Sequence, residues 1–114
     1  MPMNISHFAD LATAAALFRG LADPTRLAIV RSLASGEARV VDLTGQLALA
    51  QSTVSGHLAC LRDCGLVEAR PQGRQMFYSL ARPELMDLLA AAEQLLEAAG
   101  SKVALCPVYG TVQA

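Results

Sequence analysis

The sequence predicts one mostly helical domain that carries a single β-hairpin. Three observations support this. Apolar residues recur at three- and four-residue spacing along most of the chain. Strict alternation with β-formers is confined to two short runs, 66–70 and 75–80, joined by Pro71-Gln72-Gly73-Arg74. A length of 114 residues suits one domain with a modest core.

Taken in order, the first helix is expected over about 8–20, an Ala-rich segment with Phe8, Leu11, Ala15 and Phe18 spaced as one amphipathic stripe. Asp23-Pro24 then starts a second helix. The Asp side chain can cap the exposed amides, and Pro lacks the N–H that the first helical position cannot use. This helix runs over 24–34, burying Leu27, Ile29, Val30 and Leu33, and stops at Ser35-Gly36. A short helix over 41–47 follows, with no capping group assignable from sequence. Ala48-Leu49-Ala50-Gln51 forms the turn beyond it.

The stretch 51–65, QSTVSGHLACLRDCG, organises the rest of the chain. At helical period its first turns present Ser52, Thr53, Ser55 and His57, a small polar face suited to base edges and phosphates in a DNA major groove. Its last turns place Cys60 and Cys64 four residues apart, on one helix face, with Cβ atoms roughly 5–6 Å apart. Two thiolates so placed can grip one soft metal ion; the plain alternative is two small buried apolar groups. The hairpin after Gly65 has a basic tip at Arg74. Pro83 opens a last helix with Glu84 and Asp87 in its first turn, where the dipole favours them, and Gly100 ends it. Its stripe of Leu85, Leu88, Leu89, Ala92, Leu95, Leu96 and Ala99 is wider than one small domain covers, which with the first helix suggests a homodimer interface. The tail 101–114 is irregular and carries Cys106.

Helix, helix, short helix, turn, reading helix, hairpin and long helix is the order of a winged helix-turn-helix domain. The short helix braces the reading helix, and the wing carries Arg74 toward flanking phosphate or minor groove.

Composition narrows the class further. Net charge is −1, which gives no overall basic footprint, but eight of the nine basic residues are Arg, and Arg62, Arg70 and Arg74 follow the reading helix closely. No apolar run approaches the roughly 20 residues of a membrane helix, and the N-terminus has no basic region ahead of an apolar core. The expectation is a cytoplasmic protein with no membrane partner. Three cysteines cannot all pair within one chain, and in a reducing compartment helically spaced Cys points to metal or redox chemistry. A thiol enzyme is unsupported, since there is no CxxC pair and no His–Asp constellation beside a nucleophile. A winged-helix protein-interaction module is the remaining non-DNA reading.

Three strings, LADPTRLAIVRSL (21–33), QSTVSGHLACLRDCGLV (51–67) and GRQMFYSL (73–80), make the chain resemble the ArsR/SmtB family of metal-responsive winged-helix repressors. The resemblance implies a homodimer that binds operator DNA, through Gln51, Ser52, Thr53, Ser55, His57 and Arg74 here, and that leaves it when metal binds. One subgroup carries a Cys-x-Cys pair on the short helix, where this chain has Arg39 and Val41; another uses Asp and His on the last helix, which has no His here. What remains is similar to the cadmium- and lead-sensing CmtR type. That similarity implies a metal set of Cys60, Cys64 and Cys106, with Cys106 from the tail of the other protomer and the tail free without metal. Thiolate donors select soft ions: Cd(II) or Pb(II) is favoured, with Zn(II) or As(III) admitted. The alternative function is a thiol redox-sensing repressor. One departure stands out: Ala50 occupies the position where family members often place Ser or Thr to cap the reading helix. This costs about 1 kcal/mol unless Gln51 or Ser52 substitutes or the helix starts later.

Overall fold

The computed structural model describes residues 5–106. Expectations falling on residues 1–4 and 107–114 lie outside the described residues. Five helices and one hairpin follow the expected order: α1 (Ile5–Leu21), α2 (Pro24–Ala34), α3 (Val40–Leu47), α4 (Gln51–Asp63), β1 (Val67–Gln72), β2 (Gln75–Leu80) and α5 (Glu84–Ala98). The arrangement is a winged helix-turn-helix.

The core forms where the apolar faces of α2, α3, α4 and α5 meet. Ile29 and Val30 of α2, Leu43 of α3, and Val54, Leu58 and Leu61 of α4 are fully enclosed, and Leu85 and Leu89 close the set from α5. The α4 positions recur at four and three residues, so one face of that helix is anchored and the opposite face is offered to solvent. α4 packs against α2, α3 and β1.

Local chemistry explains the boundaries. The Asp23 carboxylate accepts the Arg26 amide at 2.9 Å, which caps α2 as expected. α3 is capped by a pair that its sequence did not announce. Asp42 Oδ2 accepts the Arg39 amide at 2.9 Å, and both Asp42 oxygens accept from the Arg39 guanidinium, at 3.0 and 2.8 Å. The acceptor is the Asp42 carboxylate, and the Arg39 side chain, which only donates, holds that carboxylate two-handed. The pair holds the Asp42 carboxyl down to about 2, chiefly through the Arg39 side chain. Ala48 ends α3 in the left-handed region (φ 54), a conformation usually left to Gly or Asn.

The hairpin is tighter than expected. β1 extends to Gln72, Gln72 pairs with Gln75, and Gly73 (φ +64) with Arg74 makes a two-residue turn. Pro71 sits opposite Met76, tolerable because it lies on β1, an edge strand of the two-stranded sheet. The wing is tied to the body at Ala38, whose amide and carbonyl pair with those of Tyr78 at 2.9 and 2.8 Å.

α1 leaves its apolar stripe outside the protomer, as a helix read as part of an interface would. Phe8 (63% exposed), Leu11 and Phe18 (56%) do not face the protomer's own core, and Leu95 of α5 is 72% exposed. α1 instead meets the body through Leu17, Gly20 and Leu21. The apolar stripe read from the sequence is left uncovered, and exposed apolar surface of this kind marks an interaction face.

Candidate nucleic-acid interface and thiol site

α4 begins at Gln51 with Ala50 as an N-cap that offers no side-chain hydrogen bond. The helix starts on time regardless, because Val54, Leu58 and Leu61 fix it from the core side. Gln51, Ser52, Thr53 and Ser55 are exposed on the opposite side, and Arg74 is exposed at the tip of the wing. These are the groups a groove and its flanking phosphates would meet.

His57 is placed differently. It is half-buried, with Nδ1 3.3 Å from Arg26 Nη1 and Nε2 3.9 Å from Asp23 Oδ2. The imidazole is turned toward the α1–α2 corner and braces the helix as well as bordering its exposed face. Sequence periodicity put His57 on the right helix but gave no sign of its partners, which lie more than thirty residues away.

The wing has its own brace. Arg70 pairs with Glu37, its Nε 3.0 Å from Oε2, and both Arg70 (5.1 Å) and Arg39 (5.9 Å) lie over the Phe77 ring. Arg70 is thereby committed to holding the wing against the loop before α3. The Arg70 pairing also keeps the Glu37 carboxyl below its ordinary range.

Cys60 and Cys64 come together as their spacing required. Both line a groove of about 750 Å³ between α1 and α4, walled by Thr13, Ala14, Leu17 and Gly56. Cys64 Sγ lies 4.0 Å from the Ala16 carbonyl, and a Cβ placed on Gly20 would stand 2.9 Å from that sulfur. Only glycine lets α1 come so near. Burial pushes the Cys64 thiol above its ordinary value, the neighbouring Cys60 adds to this, and Arg26 opposes it. A pair of adjacent sulfurs in an apolar groove matches the preference of soft ions and not that of hard cations.

Cys106 does not join them within one protomer. Among the described residues no three His, Cys, Asp or Glu side chains converge on a common point. The tail up to Cys106 is also tied down, where the sequence suggested freedom. Glu93 Oε2 accepts the Leu105 amide (2.6 Å) and the Cys106 amide (3.1 Å), while Arg31 Nη1 donates to the Ala104 carbonyl (3.1 Å). The physical reason is that Glu93 and Arg31 supply a paired acceptor and donor along one short stretch of otherwise unpaired backbone. Arg39 and Val41, standing where another thiol pair could have been, are respectively the α3 cap and an exposed apolar residue.

A buried-face reading helix, its brace and a basic-tipped wing are the parts of a DNA-binding domain of the winged helix-turn-helix class. The sequence profile described as "Bacterial regulatory protein, arsR family" matches residues 23–69. The probable mercury resistance operon repressor of Streptomyces lividans is 41% identical over 83 residues, 73% of this chain and 66% of that protein. The HTH-type transcriptional regulator CmtR of Mycobacterium tuberculosis is 45% identical over 82 residues, 72% of this chain and 70% of that one. Against CmtR and the mercury repressor, the match spans about two thirds of the relative's length. Among solved structures, the homodimeric winged helix-turn-helix domain Mb0332 of Mycobacterium bovis superposes with a TM-score of 0.76 at 29% identity, over 85% of this chain and 90% of that one. The chain belongs to the ArsR family of bacterial regulatory proteins. No helix among the described residues is long and apolar enough to cross a membrane.

Proposed function

We propose that this chain is a cytoplasmic repressor that binds operator DNA as a homodimer and releases it when cysteine thiolates take up a soft heavy-metal ion. The observation that carries the reading is the pair Cys60 and Cys64 at the back of the helix that presents Gln51, Ser52, Thr53 and Ser55. Arg74 on the wing completes the DNA face, and His57 contributes by fixing the helix. The names of the mercury resistance repressor and of CmtR support metal as the effector. The uncovered stripe of Phe8, Leu11, Phe18 and Leu95 supports a second copy, as does the homodimer described for Mb0332.

Cys60 and Cys64 supply two donors and Cys106 the third. The separation of Cys106 from the other two within one protomer supports a third sulfur from the partner's tail. Cd(II) or Pb(II) is favoured, with Zn(II) and As(III) admitted by the same donors. When bound, the ion would supply a strong crosslink between these sulfurs. The remaining work belongs to the chain. Both thiols must lose their protons, Cys64 must leave or tighten its seat on α1, and α4 must change its stance in the dimer. DNA and effector then favour different states, a coupling typically of about 1–3 kcal/mol and reciprocal between the sites.

The test is a mobility-shift titration of operator DNA with Cys60→Ser and Cys64→Ser. Both variants should bind DNA and keep it when cadmium is added. Full metal-induced release by both would place the effector site elsewhere. The presence of both thiols in one groove also admits the redox reading, in which an oxidant closes a disulfide. A thiolate-to-metal ultraviolet band formed under reductant, together with release, favours metal.

A further inference from the structure

The reading face and Cys60 lie on α4, and Cys64 is the residue that caps its C-terminus. A change at the thiols therefore cannot respace Ser52, Thr53 and Ser55; it has to move α4 as a body against the rest of the protomer. Among the described residues, the polar ties between α4 and the α1–α2 corner lie at Cys64 and at His57. Cys64 rests on α1 at the Ala16 carbonyl and against Gly20. His57 is held by Arg26, and Arg26 reaches the same turn of α1. Its Nε donates to the Gly20 carbonyl at 2.7 Å and its Nη2 to the Arg19 carbonyl at 3.0 Å, while Nη1 contacts His57 Nδ1 at 3.3 Å. A guanidinium only donates, so His57 Nδ1 accepts and its proton sits on Nε2, facing Asp23.

We propose that Arg26 is the positioning residue about which the reading helix turns. One side of its guanidinium clasps the last turn of α1 and the other holds His57. Displacing Cys64 from its seat on that same turn then rotates α4 rather than merely loosening it. A planar fork with several donors is required, and a lysine ammonium cannot replace it. The inference rests on the reading of Cys60 and Cys64 as effector ligands.

The test compares Arg26→Gln, Arg26→Lys and His57→Ala with the wild type, each first shown to be helical with a cooperative melt. Operator affinity is measured with and without cadmium, thiolate absorbance reports loading, and 15N NMR of the His57 imidazole is read in the metal-free protein. In the wild type, Nδ1 should show the signature of an unprotonated, hydrogen-bonded acceptor, and loading should weaken operator binding by about 5–150-fold. Arg26→Gln should load cadmium with the same absorbance, lose the imidazole signature, and show release below about 3-fold against that coupled range. Arg26→Lys should behave alike, His57→Ala should load cadmium and show the same weakened release, and combining Arg26→Gln with His57→Ala should add nothing. Release at the wild-type level in Arg26→Gln, or an unchanged imidazole signature in it, overturns the inference. A wild type that fails to load, or loads without release, sinks the metal reading instead; the metal-free imidazole signature still decides the Arg26–His57 tie separately.

Discussion

The contact between Gly20 and Cys64 can be tested by adding one methyl group. Gly20 lies within the helical span of α1, so alanine there gains about 1 kcal/mol from helix propensity. Against this, the new Cβ would stand 2.9 Å from Cys64 Sγ, closer than such atoms tolerate. Overpacking of this kind costs about 1–3 kcal/mol. Gly20→Ala should therefore be neutral to destabilising by about 2 kcal/mol, since the two effects oppose. In a Cys64→Ala background the sulfur is gone, and the next neighbours, the residue 64 Cβ at 3.5 Å and Leu66 Cδ1 at 3.8 Å, are at ordinary contact distance. There the same substitution should stabilise by about 1 kcal/mol. The difference between backgrounds, about 1–3 kcal/mol, is the coupling between the two positions. Urea denaturation at fixed protomer concentration measures it, because self-association shifts the midpoint. If Gly20→Ala stabilises equally in both backgrounds, Cys64 does not rest on α1 and the seat invoked for it does not exist.

Three further outcomes can be checked. Ala50→Ser should stabilise the protein by about 1 kcal/mol by giving the uncapped start of α4 an acceptor, seen as a higher denaturation midpoint. Asp42 titrates at about 2 in the folded protein against 3.8 ordinarily, so its contribution is complete above about pH 4 and is lost as pH falls toward 2. Stability measured across that window should fall less steeply in Asp42→Asn, and parallel curves would refute the Arg39–Asp42 cap. Glu93→Ala should abolish hydrogen-exchange protection at the Leu105 and Cys106 amides; retained protection would mean that Glu93 does not hold the tail.

Most of the fold was legible because its signals are local. Asp23-Pro24, the alternating runs and the acidic first turn of α5 each act within a few residues, and all three elements formed in the expected order, the hairpin with a shorter turn. The parts that escaped depend on distant pairing. Nothing near His57 announces Arg26, nothing near Arg70 selects Glu37 over Glu68, and the Ala38–Tyr78 bridge joins segments forty residues apart. The stripe on α1 was legible both as apolar and as part of an interface, whereas the residues of α1 that meet the protomer's own core, Leu17 and Leu21, were not. The thiol pair was readable from helical spacing alone, whereas the position of Cys106 depends on Glu93 and Arg31, which no periodicity connects to it.

The most direct measurement of the central claim is an anaerobic cadmium titration of the reduced protein on labelled operator, following ultraviolet absorbance and DNA anisotropy in the same cuvette. A thiolate–cadmium band should grow to one ion per site while anisotropy falls in step, and Cys60→Ser, Cys64→Ser and Cys106→Ser should each weaken the band and uncouple it from DNA loss. Dissociation without the band, or a full band with DNA still bound, would contradict it.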